Sequence, residues 1–367
     1  MQNERLVRGI IVCFILTVWW IVPAHGQELT STELMKTARE ARQHGQYDVA
    51  ERNFRLVLAK ADGQHPPTIE TVLCVADLGE VLLTEGHFAE PEKLFDRGLR
   101  MLEADSTLDP RYKPFLLGNL GVLYQRTGQF TRAEASLKEA LVLAQKYFGA
   151  EDSSVAILLN HLGTLYTAAG KNRRAEDNFK KAMALTSQKS VDPMDLAVLQ
   201  TNFANLYRIE KKWALSESLL LSAMHTIEGA AGTDHPSLIP TLDGLSGLYY
   251  ERHNPTDAEN VLRRALQIQR KTFGPDSLGA ALRSASLAEV LTERGKYSEA
   301  ETLFHESLAI QEHMSETKTI EYARTLEMFA GLLHRTKSSN MANELDGRVK
   351  SIRLELEYSI SANALRR

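Results

Sequence analysis

The strongest constraint on this chain is that it repeats itself. A small residue recurs at Ala50, Pro91, Ala133, Ala175, Ser216, Ala258, Ala300 and Ala342, at spacings of 41 or 42 residues. Five residues before each stands Gly45, Gly86, Gly128, Gly170, Lys211, His253, Gly295 or Lys337. Four residues after it come Phe54, Phe95, Leu137, Phe179, Leu220, Leu262 and Phe304, until Asp346 breaks the series. A second register runs in phase upstream: Leu78-Gly79, Leu120-Gly121, Leu162-Gly163, Phe203-Ala204, Leu245-Ser246, Leu287-Ala288 and Phe329-Ala330. Three residues after the small member of each pair sit Leu82, Tyr124, Tyr166, Tyr207, Tyr249, Leu291 and Leu333. Two registers held in phase over this length mean a stack of similar units rather than one enlarged core.

Each unit reads as two amphipathic helices, A and B. In helix A the small residue admits close backbone approach, and the tyrosine fills the space beside it. A glycine then closes helix A, because a left-handed cap residue is free of strain without a Cβ. An aromatic two positions later (Tyr47, Phe88, Phe130, Trp213 or Tyr297) leads into helix B. Pro91 falls in the first turn of its helix, where the missing N–H is not needed.

The composition adds exclusions. The chain has 367 residues, 43% hydrophobic and 25% charged, with 43 basic and 47 acidic side chains and a net charge of −4. Such a balance excludes a disordered chain and a polytopic membrane protein, and gives no electrostatic footprint for nucleic acid. Residues 1–26 read as a secretory signal. Arg5 and Arg8 precede an uncharged apolar stretch from Gly9 to Val22, Pro23 breaks it, and Ala24-His25-Gly26 offers a cleavage site before Gln27. The stretch is short for a membrane span, which needs about 20 residues, so no stable span is expected after cleavage. The chain from Gln27 onward keeps one cysteine, Cys74, expected to be a buried packing thiol. The only Asn-X-Ser/Thr site, Asn254-Pro255-Thr256, is blocked by its proline. These features point to an extracytoplasmic protein, periplasmic or secreted, of bacterial type.

At this point the sequence resembles the tetratricopeptide repeats, especially the 42-residue variety of kinesin light chains. The resemblance rests on Asn119-Leu120-Gly121-Val122-Leu123-Tyr124 with Gly128-Gln129-Phe130-Thr131-Arg132-Ala133-Glu134, and on the run from Asn160 to Tyr166 with Gly170 to Glu176. The inter-repeat loops carry a glycine followed by acidic and turn residues: Gly149-Ala150-Glu151-Asp152, Gly232 to Pro236, and Gly274-Pro275-Asp276-Ser277. It implies an all-α, right-handed superhelix of about eight helix-turn-helix repeats. The repeats are placed at 31–71, 72–113, 114–155, 156–196, 197–238, 239–280, 281–322 and 323–352. The solenoid then spans 27–352, with a tail at 353–367.

The resemblance also implies a concave groove lined by the A helices that binds protein or peptide segments. Groove-facing positions lie three before, one after and four after the small residue of helix A. Candidate contacts are Gln125, Asn160, Thr164, Asn205, Arg208, Asp243, Tyr250 and Glu289, joined by Asn119 and Asn202 two residues before it. An asparagine amide can satisfy both the N–H and the C=O of an extended peptide. The same residues could instead bond neighbouring helices. Arg208 is the one clear cation in this set, and Asp243, Glu289 and Glu327 make the later half acidic, which favours a basic or neutral segment.

Catalytic signatures are absent: the sequence has no His-Glu-X-X-His, Gly-X-Ser-X-Gly or Cys-X-X-Cys. His305-Glu306 and Glu312-His313 read as solvated helix surface rather than a metal site. No catalytic residue, metal or cofactor is expected, and the reading is a non-enzymatic scaffold or adaptor of open oligomeric state. The alternative is an envelope-associated solenoid that binds a carbohydrate or other small ligand, with Trp213, Tyr250 and Tyr207 as aromatic platforms.

Overall fold

The computed structural model describes residues 29–62, 67–188, 192–314, 317 and 319–365; the signal sequence expected at 1–26 lies outside them. Sixteen α-helices and one 3-10 turn, and no strand, occur among the described residues. They pair into hairpins in chain order. Helices α1 (Ser31–Gln43) and α2 (Tyr47–Ala61) form the first, and α3 (Ile69–Thr84) and α4 (Ala89–Ala104) the second. The third and fourth are α5 (Lys113–Arg126) with α6 (Phe130–Phe148), and α7 (Ser153–Ala168) with α8 (Asn172–Gln188). The fifth and sixth are α9 (Pro193–Ile209) with α10 (Trp213–Ala231), and α11 (Leu238–Glu251) with α12 (Pro255–Phe273). The last two are α13 (Leu278–Glu293) with α14 (Tyr297–His313), and α15 (Ile320–Arg335) with α16 (Ser339–Leu365).

Every turn within a hairpin has one left-handed residue. Gly45, Gly86, Gly128, Gly170 and Gly295 take φ between +69° and +89°, and Lys211, His253 and Lys337 take +56° to +62° at the equivalent position. A side chain there crowds the following carbonyl, so the three non-glycine turns store strain. Lys211→Gly or His253→Gly is therefore expected to raise stability by up to about 1 kcal/mol. Chemical denaturation checks this, and a loss of stability on either substitution would sink it.

In the second, third and fourth hairpins the small residue of the A helix meets the large residue of its B helix. A Cβ built on Gly121 would lie 2.4 Å from Leu137 Cγ, and one on Gly163 would lie 2.5 Å from Phe179 Cε1. These rings and branches are fully buried, so the core is a ribbon running along the stack. Cys74 belongs to it: its Sγ donates to the Phe54 carbonyl at 3.3 Å, and burial pushes the thiol up to about 12.

A second set of contacts ties the third and fourth repeats to the ones before them. Tyr124 donates its hydroxyl to Glu92 at 3.1 Å, and Tyr166 donates to Glu134 at 3.0 Å. The recurrent tyrosine thus satisfies a carboxylate on the preceding B helix as well as filling space.

The array also touches itself across five repeats. The Tyr47 ring stacks on Phe273 at 5.4 Å and 11°. His235 Nε2 lies 2.8 Å from the Gln43 carbonyl, while its Nδ1 accepts from the Ser237 N–H at 3.2 Å. Both bonds are satisfied by the neutral imidazole with its proton on Nε2. The first hairpin therefore rests on the loop before α11 and on the end of α12, and the inner face becomes a confined space.

Candidate functional site

The inner face carries a cavity of about 470 Å³ between α3, α5, α7 and α9. Its wall follows the repeat. Six residues before the small position, each of these helices contributes an apolar side chain: Leu73, Phe115, Ile157 and Val198. Phe115 and Val198 are 45% and 48% exposed, an uncovered apolar row inside the turn of the array.

Beside that row lies a polar one. Asn160 is only 4% exposed and accepts from Asn202 Nδ2 at 3.1 Å, while its own Nδ2 has no acceptor among the described residues. Asn119, one helix away, has no hydrogen-bond partner among them. His161 lines the same wall with a buried Nδ1 that lacks a partner. Desolvation, and then the nearby Arg126 charge, push its imidazole down to about 4, so it is neutral at neutral pH.

Carboxylates gather at one end. Asp77 accepts from Arg39 Nε at 2.8 Å, and Arg42 pairs with Glu80 and lies 3.6 Å from Asp77. Asp195, on the first turn of α9, lines the cavity and has no ion pair among the described residues. Desolvation, then repulsion from Asp192, raises the Asp195 carboxyl above its usual range. Glu80 is raised too, by desolvation first, with Asp77 and Asp195 adding repulsion and Arg42 opposing it.

The tetratricopeptide-repeat profile matches residues 114–188, 195–271 and 248–313, together just over half of the chain. The chain belongs to the tetratricopeptide-repeat family. Among solved structures, the apo form of the quorum sensor NprR from B. thuringiensis has a TM-score of 0.60 at 12% identity, over 88% of this chain and 87% of that one. A Rap protein complexed with competence and sporulation factor has a TM-score of 0.57 at 13% identity, over 90% and 99%. BtubC from P. vanneervenii is 18% identical over 77% and 92%, with a TM-score of 0.48. Likeness at these identities is likeness of fold. None of the curated proteins compared matches the sequence.

Of the ten groove candidates read from the sequence, this tetratricopeptide-repeat array brings Asn119 and Asn160 into the cavity and bonds Asn202 to Asn160. Others form rungs between neighbouring A helices. Thr164 donates to Gln125 at 3.2 Å, Arg208 pairs with Glu251 on α11 while also donating to Asn205 of its own helix at 2.9 Å, and Tyr250 donates to Glu289 at 3.1 Å. Desolvation, then the Glu289 charge, raises the Tyr250 phenol.

The later half is less acidic in effect than its composition suggests. Arg283 bonds Asp243 at 2.5 Å and Arg353 bonds Glu327 at 2.7 Å, so two of its three carboxylates carry partner cations. Among the described residues Asp195 in the earlier half and Glu289 in the later half have no ion pair. The aromatic platform loses two of its members. Tyr207 is 9% exposed and stacked on Phe203 at 4.4 Å, and Trp213 packs against the Ala204–Leu248 core. His305 packs edge-on against Phe329, while Glu306 pairs with Arg270 and Glu312 with Tyr322 and Arg348.

Sequence reasoning missed Asp77, Glu80, His161, Asp195 and the apolar row. Position six before the small residue reads Leu, Phe, Ile and Val in consecutive repeats, a signal present in the sequence.

Proposed function

We propose that this chain is an exported scaffold that holds an extended segment of a partner protein in its inner groove, without a chemical step of its own. The observation that carries the reading is an apolar row along four successive A helices, exposed at Phe115 and Val198, beside two asparagine amides with unused hydrogen-bonding capacity, Asn119 on α5 and Asn160 on α7. An extended peptide has the same alternation, since its side chains face opposite ways and its backbone groups lie between them. An amide N–H₂ that has no protein acceptor and opens into the cavity is available to a peptide carbonyl, a bond worth about 0.5–1.5 kcal/mol. A protein of similar fold, the Rap protein, is known in complex with competence and sporulation factor, which supports a binding role for this architecture. Export is supported by the basic, apolar and small-residue order of residues 1–26.

Panning a random heptapeptide library on the full chain, followed by fluorescence anisotropy of selected peptides, tests the groove. Asn160→Ala and Phe115→Ala are each expected to weaken binding about tenfold, the worth of one hydrogen bond or one partly buried ring. Peptides that bind both variants as tightly as the parent would place the contact elsewhere. Terminal sequencing of the exported chain is expected to begin at Gln27, and an intact residue 1 there would rule out cleavage.

A further inference from the structure

We infer that the cavity selects a segment in which a cationic side chain, arginine or lysine, stands next to apolar residues, and that Asp195 receives the cation. The inference rests on the groove reading above and adds the chemistry of the occupant. Three carboxylates border the cavity, and two arginines from α1 are already committed to Asp77 and Glu80. His161 contributes no positive charge at neutral pH. Asp195 is the lining carboxylate with no ion pair among the described residues, and it faces a space walled by Phe115, Ile157 and Val198.

Two independent observations turn this charge into a site. Asn160 is more than nine-tenths buried and lines the same cavity with an unused amide N–H₂. Phe115 and Val198 lie uncovered along the same wall. A ligand backbone carbonyl would accept from Asn160, its apolar side chains would cover Phe115 and Val198, and its cation would meet Asp195. Charge-assisted bonds formed among low-dielectric walls are stronger than those in open water. An anionic side chain there would face the unpaired carboxylate of Asp195, and like charges brought into one groove repel. The pocket thus discriminates by sign as well as by shape.

Register shows why this position is special. Nine residues before the small position, the other repeats lining the cavity carry Glu70, Tyr112 and Ser154; Glu70 does not line the cavity, so only α9 places a carboxylate at its wall there.

The test uses three fluorescein-labelled, end-capped heptapeptides, identical except for a central arginine, citrulline or glutamate between leucines. Anisotropy on the full chain at low salt is expected to rank arginine about tenfold tighter than citrulline, with glutamate weakest. Asp195→Asn is expected to bring arginine and citrulline within about twofold, whereas Asp195→Glu preserves the ranking. Circular dichroism of both variants guards against misfolding. Equal binding of arginine and citrulline by the parent overturns the inference and leaves groove binding intact. Persistence of the ranking in Asp195→Asn overturns it as well. Failure of all three peptides to bind counts against the inference and the groove reading together.

Discussion

Replacing Glu259 by alanine is expected to lower the unfolding free energy by about 1–3 kcal/mol, the usual cost of leaving charged hydrogen-bond donors without their acceptor. Glu259 is 4% exposed. It accepts from Lys296 Nζ at 2.8 Å and 3.0 Å, from Arg263 Nε at 2.9 Å, and from Arg294. Arg294 and Lys296 belong to the turn of the seventh hairpin, whereas Glu259 and Arg263 lie on α12 of the sixth. One carboxylate therefore fastens two repeats. Its counterparts Glu92 and Glu134 are held by the tyrosine of the following repeat, but here that position is Leu291. With no hydroxyl available, three cations do the same work. Removing the carboxylate leaves Arg294 and Lys296 without an ion-pair partner among the described residues, while Arg263 keeps Glu299. Guanidinium denaturation measures the loss, and hydrogen exchange should show it concentrated in α12 and α13, because a repeat array is stabilised by nearest-neighbour interfaces. A loss below about 1 kcal/mol would mean that these bonds are no better than surface pairs.

The same carboxylate sets an acid limit. Burial alone would raise its pKa, but the bonds from Lys296, Arg263 and Arg294 outweigh that and hold it at about 2, against an ordinary 4.5. A depressed folded-state value means that its stabilisation is complete above about pH 4.5 and is lost as pH falls toward 2. The stability difference between the parent and Glu259→Gln is therefore expected to shrink over that window.

Much of the fold was legible because it is written in local spacing. The positive-φ turn follows from glycine at one register position, and the close helix pairs follow from Gly79, Gly121 and Gly163. Equivalence of positions between repeats could also be read. What equivalence does not contain is how far the stack turns. The cavity is built from positions two and three before the small residue, as expected, and from positions six and nine before it, which were not, with Glu80 one after it. Most of the expected positions one and four after it instead supply bonds between adjacent A helices, as in Gln125–Thr164 and Tyr250–Glu289. Nor could the sequence show that Arg39 and Arg42 neutralise one end of the site, or that Arg283 neutralises Asp243. Those are choices among many possible charge pairs, made by three-dimensional proximity. The contact of Gln43 with His235 joins residues 192 apart and has no periodic signature.

That contact gives the second large effect, at Gly45. A Cβ on Gly45 would lie 2.3 Å from Pro236 Cγ and 2.9 Å from its Cδ, on a backbone with φ +71°. Gly45→Ala therefore adds two costs: about 1–2 kcal/mol for the left-handed conformation and about 1–3 kcal/mol for overlap with a rigid ring. Gly86 and Gly128 have the same backbone, but a Cβ on either meets nothing within 4 Å. Their alanine variants isolate the conformational cost, so the difference between Gly45→Ala and Gly86→Ala measures the clash alone. The overlapping surfaces belong to distant repeats, and the array can relieve the clash by parting them. Parting would unstack Tyr47 from Phe273 and break the His235–Gln43 bond. Gly45→Ala is then expected to show a larger radius of gyration by small-angle scattering as well as a lower melting temperature. Pro236→Ala supplies the rescue: only the Cβ of residue 236 remains, and it lies 3.7 Å from the new methyl, an ordinary contact. The double variant should match Gly86→Ala in stability and the parent in size. Equal losses for Gly45→Ala and Gly86→Ala, with no change in size, would show that the first and sixth repeats do not meet in solution.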